Sequence, residues 1–287
     1  MKELSKIVLG TVQFGVNYGI NNTSGQVTPE EVCTILSLAS HKGILTLDTS
    51  SAYGTSEQAL GQALKKTGGK FNIVSKYPKS EMSVRDTFMK SLKNLGVDSL
   101  YGYLEHHFEF YQENPETFEE MKKLKEEGLI QKIGFSLYNV EQLQYLISRN
   151  VAFDILQFPY NIFDRQFEPY MPSLVEQGVE IHTRSAFLQG LFFKDTDTLP
   201  EKLKPMKKYL DALHQYCKET SLTVEQIAFG YVLSNNDVKG ALIGVDNHKQ
   251  LESNLKVASV ELSNQDIDFI KSIDIKEKEL LNPVNWN

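Results

Sequence analysis

The chain has 287 residues, 41% of them hydrophobic, and a net charge of -7. That is enough chain to bury a full core, and α/β barrels of this length often form a single unit. The acidic balance excludes a general nucleic-acid binder, which carries a basic stripe.

Short apolar runs recur along the chain: Ile7-Val8-Leu9, Ile44 to Leu47, Phe71 to Ser75, Leu100 to Leu104, Ile130 to Phe135, Phe153 to Phe158, Val179 to Thr183 and Ala241 to Val245. Helical patterns lie between them. The first starts at Thr28-Pro29-Glu30-Glu31, which supplies an N-cap, Pro at the first helical position and a capping-box Glu. Others run over about 55–66, 83–94, 114–127, 139–149, 168–177, 206–220 and 223–235, with two more near 247–257 and 263–273. Several end at Gly before the next strand, as at Lys42-Gly43, Glu127-Gly128 and Gln177-Gly178. The stretch from Phe192 to Pro205 reads as a loop after the seventh strand. Eight strands alternating with helices predict a closed parallel (β/α)8 TIM barrel with a C-terminal helix and tail, with 1–287 as one domain.

Two cysteines, Cys33 and Cys217, give neither metal spacing nor a disulfide framework, and they suit a reducing compartment. No signal-peptide pattern opens Met1-Lys2-Glu3-Leu4. No run of about 18 apolar residues would span a membrane. The expectation is a soluble cytoplasmic protein without metal, membrane or nucleic-acid partner.

Active residues of such barrels sit at the C-terminal ends of the strands. Asp48 ends the second strand, Lys76 the third and His106 the fourth, and Tyr53 follows Asp48 in the loop. Neighbouring strands lie about 5 Å apart, so their rim side chains can meet. Each residue alone has an ordinary role as a cap, a packing ring or a solvated charge. Four at matched rim positions point to shared chemistry.

The stretch Leu47-Asp48-Thr49-Ser50-Ser51-Ala52-Tyr53-Gly54-Thr55-Ser56-Glu57, followed by Leu60-Gly61, resembles the aldo-keto reductase signature. Leu9 to Gly15, Ile133 to Ser136, Gln157 with Tyr160-Asn161, Ser185 to Gly190 and Gln250 to Asn254 resemble further family segments. The resemblance implies hydride transfer from a reduced nicotinamide to a small-molecule aldehyde or ketone. Tyr53 would be the acid, Lys76 would lower its pKa, Asp48 would hold Lys76, and His106 would donate to the carbonyl oxygen, with His107 as the alternative. It assigns Gly10, Thr11, Val12, Asp48, Ser136, Gln157, Arg184, Ser185, Phe187, Gln189, Gly244, Asn247, Gln250 and Asn254 to the cofactor.

Three positions, Leu137, Arg184 and Asp246, depart from the family pattern. Leu137 stands where a carboxamide-binding Asn is usual, and Arg184 where an aromatic ring stacks on the nicotinamide. A guanidinium there is expected to favour the reduced, uncharged ring. The resemblance favours NADPH and leaves NADH open, because Asp246 and Asn247 stand near the phosphate end with Lys249 as the one nearby cation. Phe14, Tyr18, Phe108 and Trp286 are expected at the substrate pocket. The Val12 to Gly15 and Tyr18-Gly19-Ile20 pattern resembles a bacterial subgroup that includes sugar-processing enzymes. Two other readings stay open: a nicotinamide-sensing regulatory protein with little turnover, and a lyase that uses Lys76 as a Schiff base.

Overall fold

The computed structural model describes residues 4–20, 22, 24–258 and 260–286, so Met1, Lys2 and Glu3 lie outside the described residues. Strands β1 (Ile7–Gly10), β2 (Thr46–Asp48), β3 (Asn72–Tyr77), β4 (Leu100–Glu105), β5 (Ile130–Ser136), β6 (Ile155–Pro159), β7 (Glu180–Arg184) and β8 (Gly240–Gly244) close in that order into a parallel barrel. All eight fall within two residues of the apolar runs. The register steps up around the barrel. Asp48 lies level with Val74, and Lys76 with Leu104, so Lys76 and His106 each stand two residues beyond the neighbour's level.

Helices α1 (Val12–Gly15), α2 (Pro29–His41), α3 (Ser56–Thr67), α4 (Val84–Leu95), α5 (Phe108–Glu113), α6 (Glu116–Glu126), α7 (Val140–Ser148), α8 (Met171–Glu176), α9 (Lys207–Thr220), α10 (Val224–Ser234), α11 (His248–Val257) and α12 (Asn264–Ser272) surround the strands. Side-chain caps start many of them. Ser83, Asn139, Thr223, Asn247 and Ser263 each accept a backbone N–H of the first turn. Gly43, Gly128 and Gly178 take φ of 78°, 78° and 82°, the left-handed turn that leads back to a strand. None of the described helices is long and apolar enough to cross a membrane.

Three features differ from the sequence reading. Helices α1 and α5 are too short to show a period. The stretch after β7 is not a plain loop: Leu188–Phe193 kinks through left-handed Gln189 and Gly190, and 3-10 turns follow at Thr196–Thr198 and Glu201–Met206, anchored by buried Leu199, Leu203 and Met206. Thr28 caps α2 as expected, but Glu31 does not close the box. Its carboxylate instead accepts the backbone N–H of His248 at 2.5 Å and faces its Nδ1 at 2.7 Å, which ties α2 to the start of α11.

The inward positions of β7 run from the foot of the barrel to its rim. At the foot, Glu180 accepts from Tyr101 at 2.7 Å, meets His182 Nε2 at 2.8 Å and pairs with Lys132. Above that plug Val74, Leu104 and Ile155 fill the interior, and Arg184 ends the strand at the rim. On the outer side of β4, Glu105 is buried and accepts from Thr117 at 2.6 Å, while its Oε2 has no partner. Burial pushes its pKa from the usual 4.5 up to about 7.

A raised carboxyl pKa means that the fold holds the proton more tightly than the unfolded chain. The stabilisation is full below the unfolded value and is lost as pH rises through about 7. Thermal unfolding between about pH 5 and about pH 8 should therefore show a fall in Tm that Glu105→Gln removes. An equal fall in the variant would contradict a buried, protonated Glu105.

Candidate active site

The end of β2 and the end of β3 form the floor of the site. Lys76 is 0% exposed. Its Nζ donates to Asp48 Oδ1 at 2.5 Å and to the Thr49 carbonyl at 3.0 Å. The other Asp48 oxygen accepts from Gln157 Nε2 at 2.8 Å, which brings in β6 from across the barrel. Burial lowers the Lys76 pKa, and the Asp48 carboxylate opposes that shift. A buried ion pair of this kind persists only when its remaining donors and acceptors are met.

The loop after β2 carries Tyr53 back over this floor. Two glycines permit it. A Cβ on Gly15 would lie 1.8 Å from the Tyr53 carbonyl oxygen, and Gly54 has φ 55° with the Gly15 carbonyl against it. A buried hydroxyl cluster locks the turn: Ser56 Oγ donates to the Thr11 carbonyl at 2.7 Å and lies 3.1 Å from Thr49 Oγ1. The Lys76 ammonium then sits 5.2 Å from the centre of the Tyr53 ring.

His106, just past β4, meets the Tyr53 ring edge-on with centres 5.6 Å apart. Its Nδ1 lies 3.0 Å from Ser50 Oγ. Burial, then the charge on Lys76, holds its pKa well below the usual value, so the ring is neutral. His107 is exposed beside it, ring centres 4.8 Å apart, rather than turned to the opposite side.

The expectation that Lys76 lowers the Tyr53 pKa is corrected. Burial pushes the phenol up, and the Asp48 carboxylate adds to the rise. Arg184 is the cation that draws the phenol down. Tyr53 is therefore a protonated phenol at neutral pH.

Asp48 and Tyr53 open onto a cavity of about 570 Å³; Lys76 lies behind Asp48 and His106 against the Tyr53 ring, and neither is on the cavity wall. Gly10, Thr11 and Val12 line it from β1, Gln157 from β6, and Gly244, Gln250 and Asn254 from β8 and α11. Arg184, Ser185, Phe187 and Gln189 line it from β7 and its loop, and Tyr18 from the loop after α1. Ser136 and Asn247 are not on its wall: Ser136 is buried at the end of β5, and Asn247 uses its side chain to cap α11. Leu137 is buried, and its carbonyl accepts from Arg184 at 3.0 Å. The Arg184 guanidinium lies 4.2 Å over the Tyr138 ring.

Three aromatic expectations are corrected. Phe14 is fully buried, because α1 turns it into the core. Phe108 is 2% exposed and packs edge-on against Tyr145 at 5.4 Å, between helix and barrel. Trp286 donates to the Leu280 carbonyl at 2.8 Å within the tail and does not line the cleft. Not expected from the sequence were Gln13 and Glu225 on the cleft wall and Ser50 against His106. Ser50 follows Asp48 by two residues, and that spacing is the one sequence signal that places it at the rim, where it meets His106.

Gln13 Oε1 and Asp246 Oδ1 are buried cleft-wall acceptors without a partner among the described residues. They suit a ligand rich in hydroxyl donors, as the riboses of a nicotinamide dinucleotide are. The wall thus fits such a cofactor: Gln13 and Asp246 could take its hydroxyls, and Gln157 and Arg184 lie at the end that carries Tyr53.

Removing one partner of a buried ion pair costs about 3–5 kcal/mol because the other charge is stranded. Asp48→Asn should lose stability of that order in urea unfolding, and adding Lys76→Met should restore most of it. A single variant as stable as wild type would show that the pair is not under the burial described.

The aldo/keto reductase family model matches residues 6–275. The NADH-specific methylglyoxal reductase of Escherichia coli (strain K12) is 26% identical, with 94% of each chain covered. A thermostable aldo-keto reductase solved with the inhibitor epalrestat is 26% identical and superposes with a TM-score of 0.69, covering 93% of this chain and 94% of that one. An aldo-keto reductase from Bacillus halodurans in its holo form shares the fold at a TM-score of 0.72 and 21% identity, covering 95% of this chain and 94% of that one. With the family model spanning nearly all of the barrel, this chain belongs to the aldo/keto reductase family.

Proposed function

We propose that this chain reduces an aldehyde or ketone to its alcohol with a reduced nicotinamide cofactor, and that NADH is preferred. The observation that carries the reading is a protonated phenol, Tyr53, on the cleft wall above a buried Asp48–Lys76 pair and beside a neutral imidazole. When bound, the cofactor supplies hydride to the carbonyl carbon. Tyr53 holds the proton that the developing alkoxide takes. Its hydroxyl has no hydrogen-bond partner among the described residues, so it is free to meet a substrate oxygen. His106 adds a neutral donor at the same oxygen, and Asp48, Lys76 and Gln157 hold the floor in place. A sugar-derived carbonyl suits the polar groups of Tyr18, Asn22, Ser185 and Gln189 on the same cleft.

The raised Tyr53 pKa keeps the acid loaded across the neutral range, and His106 has already lost its charge there. Reduction should run with a flat kcat/KM from about pH 6 to about pH 9, and oxidation of the alcohol should rise toward alkaline pH as phenolate forms. Tyr53→Phe should lower kcat for reduction about 100-fold or more, with cofactor affinity by fluorescence titration unchanged. Full turnover of the variant on a panel of aldehydes and keto-sugars would remove Tyr53 as the acid.

The preference for NADH departs from what the family resemblance favours. Among the described residues, the cleft wall at α11 and α10 carries the carboxylates Asp246 and Glu225 and no Lys or Arg. Asp246 Oδ1 suits a ribose hydroxyl, whereas a 2′-phosphate would meet like charge. At an effective dielectric of about 20, two unit charges about 4 Å apart repel by on the order of 4 kcal/mol. Screening reduces this, but kcat/KM for NADH should still exceed that for NADPH by about tenfold or more. Asp246→Ser should narrow the ratio. An enzyme that prefers NADPH, with a ratio indifferent to Asp246, would reverse the assignment.

A further inference from the structure

We propose that Ser50 is the positioning residue that fixes His106 as the tautomer with its proton on Nε2, so that this nitrogen is the donor to the substrate oxygen. The inference deepens the carbonyl-reductase reading and rests on it.

A serine hydroxyl offers one proton and two acceptor sites. Ser50 is 1% exposed, so water does not freely complete its bonding. The Ala52 backbone N–H donates to Ser50 Oγ at 3.1 Å, which takes one acceptor site. The other neighbour of Oγ is His106 Nδ1 at 3.0 Å. Two arrangements are then possible. If Nδ1 carried the ring proton, it would fill the second acceptor site, and the hydroxyl proton would have no acceptor among the described residues. A buried donor without an acceptor disfavours that state by roughly tenfold or more. If the hydroxyl donates to Nδ1, every group is met in one direction: Ala52 N–H to Oγ, and Oγ–H to Nδ1.

The second arrangement leaves the ring proton on Nε2. That nitrogen has no hydrogen-bond partner among the described residues, and His106 is half-buried rather than sealed. The ring is held in place on three sides: its backbone N–H donates to the Tyr77 carbonyl at 3.0 Å, His107 lies alongside, and the Tyr53 ring meets it edge-on. Because burial and Lys76 keep the ring uncharged, it has one N–H to place, and the choice of nitrogen decides its use. With the proton on Nδ1, Nε2 would turn a lone pair toward a carbonyl oxygen and repel it. With Ser50 in place, His106 and Tyr53 can both donate to that oxygen as its charge grows.

The test reads the ring directly. Protein labelled with 15N-histidine gives long-range proton–nitrogen correlations that identify which ring nitrogen bears hydrogen, with His106 assigned by loss of its signals in His106→Asn. Wild type should show Nε2 protonated and Nδ1 bare. Ser50→Ala should show a mixture of both tautomers and a fall of roughly tenfold in kcat for reduction, with cofactor affinity unchanged. Ser50→Thr should restore both. Protonation at Nδ1 in wild type, or a ring spectrum unchanged in Ser50→Ala, would overturn the assignment; the wild-type spectrum decides the first even if the alanine variant does not fold. A wild type with Nε2–H that turns over no carbonyl leaves the Ser50 assignment standing and overturns the reductase reading instead.

Discussion

The buried pair of Asp48 and Lys76 is the constraint on which the rest of the site depends. An ammonium at 0% exposure is costly unless its protons are taken up, and here the acceptors come from the end of β2 and the turn that follows it. The second oxygen of Asp48 is met by Gln157 from β6, on the far side of the barrel. The pair is therefore satisfied only when the barrel is closed and in register. A slip of one residue in β2 would turn Asp48 outward and strand Lys76.

The charges of the site follow from that pair. Burial dominates the Tyr53 phenol, and the Asp48 carboxylate of the pair adds to the rise. The same burial strips His106 of its charge. The cleft thus presents two neutral donors beside an internally neutral pair. Such donors suit a reaction in which negative charge appears on an oxygen during the step, because they stabilise it more in the transition state than in the ground state. Arg184 is the exception. Its guanidinium lies over the Tyr138 ring, 4.2 Å from the ring centre, and donates to the Leu137 carbonyl, so it holds one position at the edge of the cleft.

The strands and rim residues were legible because a barrel strand converts sequence parity into direction. Asp48, Lys76 and His106 could be placed from strand ends alone, and the structure brings them together with Tyr53. The aromatic residues were not legible, because loops have no such rule. Phe14 and Phe108 lie in loops by sequence, yet each sits on a helix of one or two turns that rotates it inward. Glu31 looked like the second half of a capping box, but a partner 217 residues away takes its carboxylate. The Tyr53 phenol was misjudged for a related reason: its pKa is set first by burial and then by the nearby Asp48 carboxylate, and order along the chain gives neither.

The loop after β7 shows how the cleft is shaped against local preference. Ser185, Leu188 and Gln189 all take positive φ, at 63°, 46° and 50°. For residues with a Cβ this costs roughly 1–2 kcal/mol each. Nothing in their side chains favours it, so tertiary contacts must hold it. Asn161 donates to the Ser185 carbonyl at 3.0 Å, Leu188 is fully buried, and Gln189 donates to the Tyr18 hydroxyl at 2.7 Å. The last contact joins the loop after β7 to the loop after α1, across residues that line the same cleft. A relaxed backbone would release Gln189 from Tyr18 and move Phe187 off the wall. The strain is thus the local cost of a wall that packs on one side and bonds across the cleft on the other, and it is sustained because the core fixes Leu188 between the two.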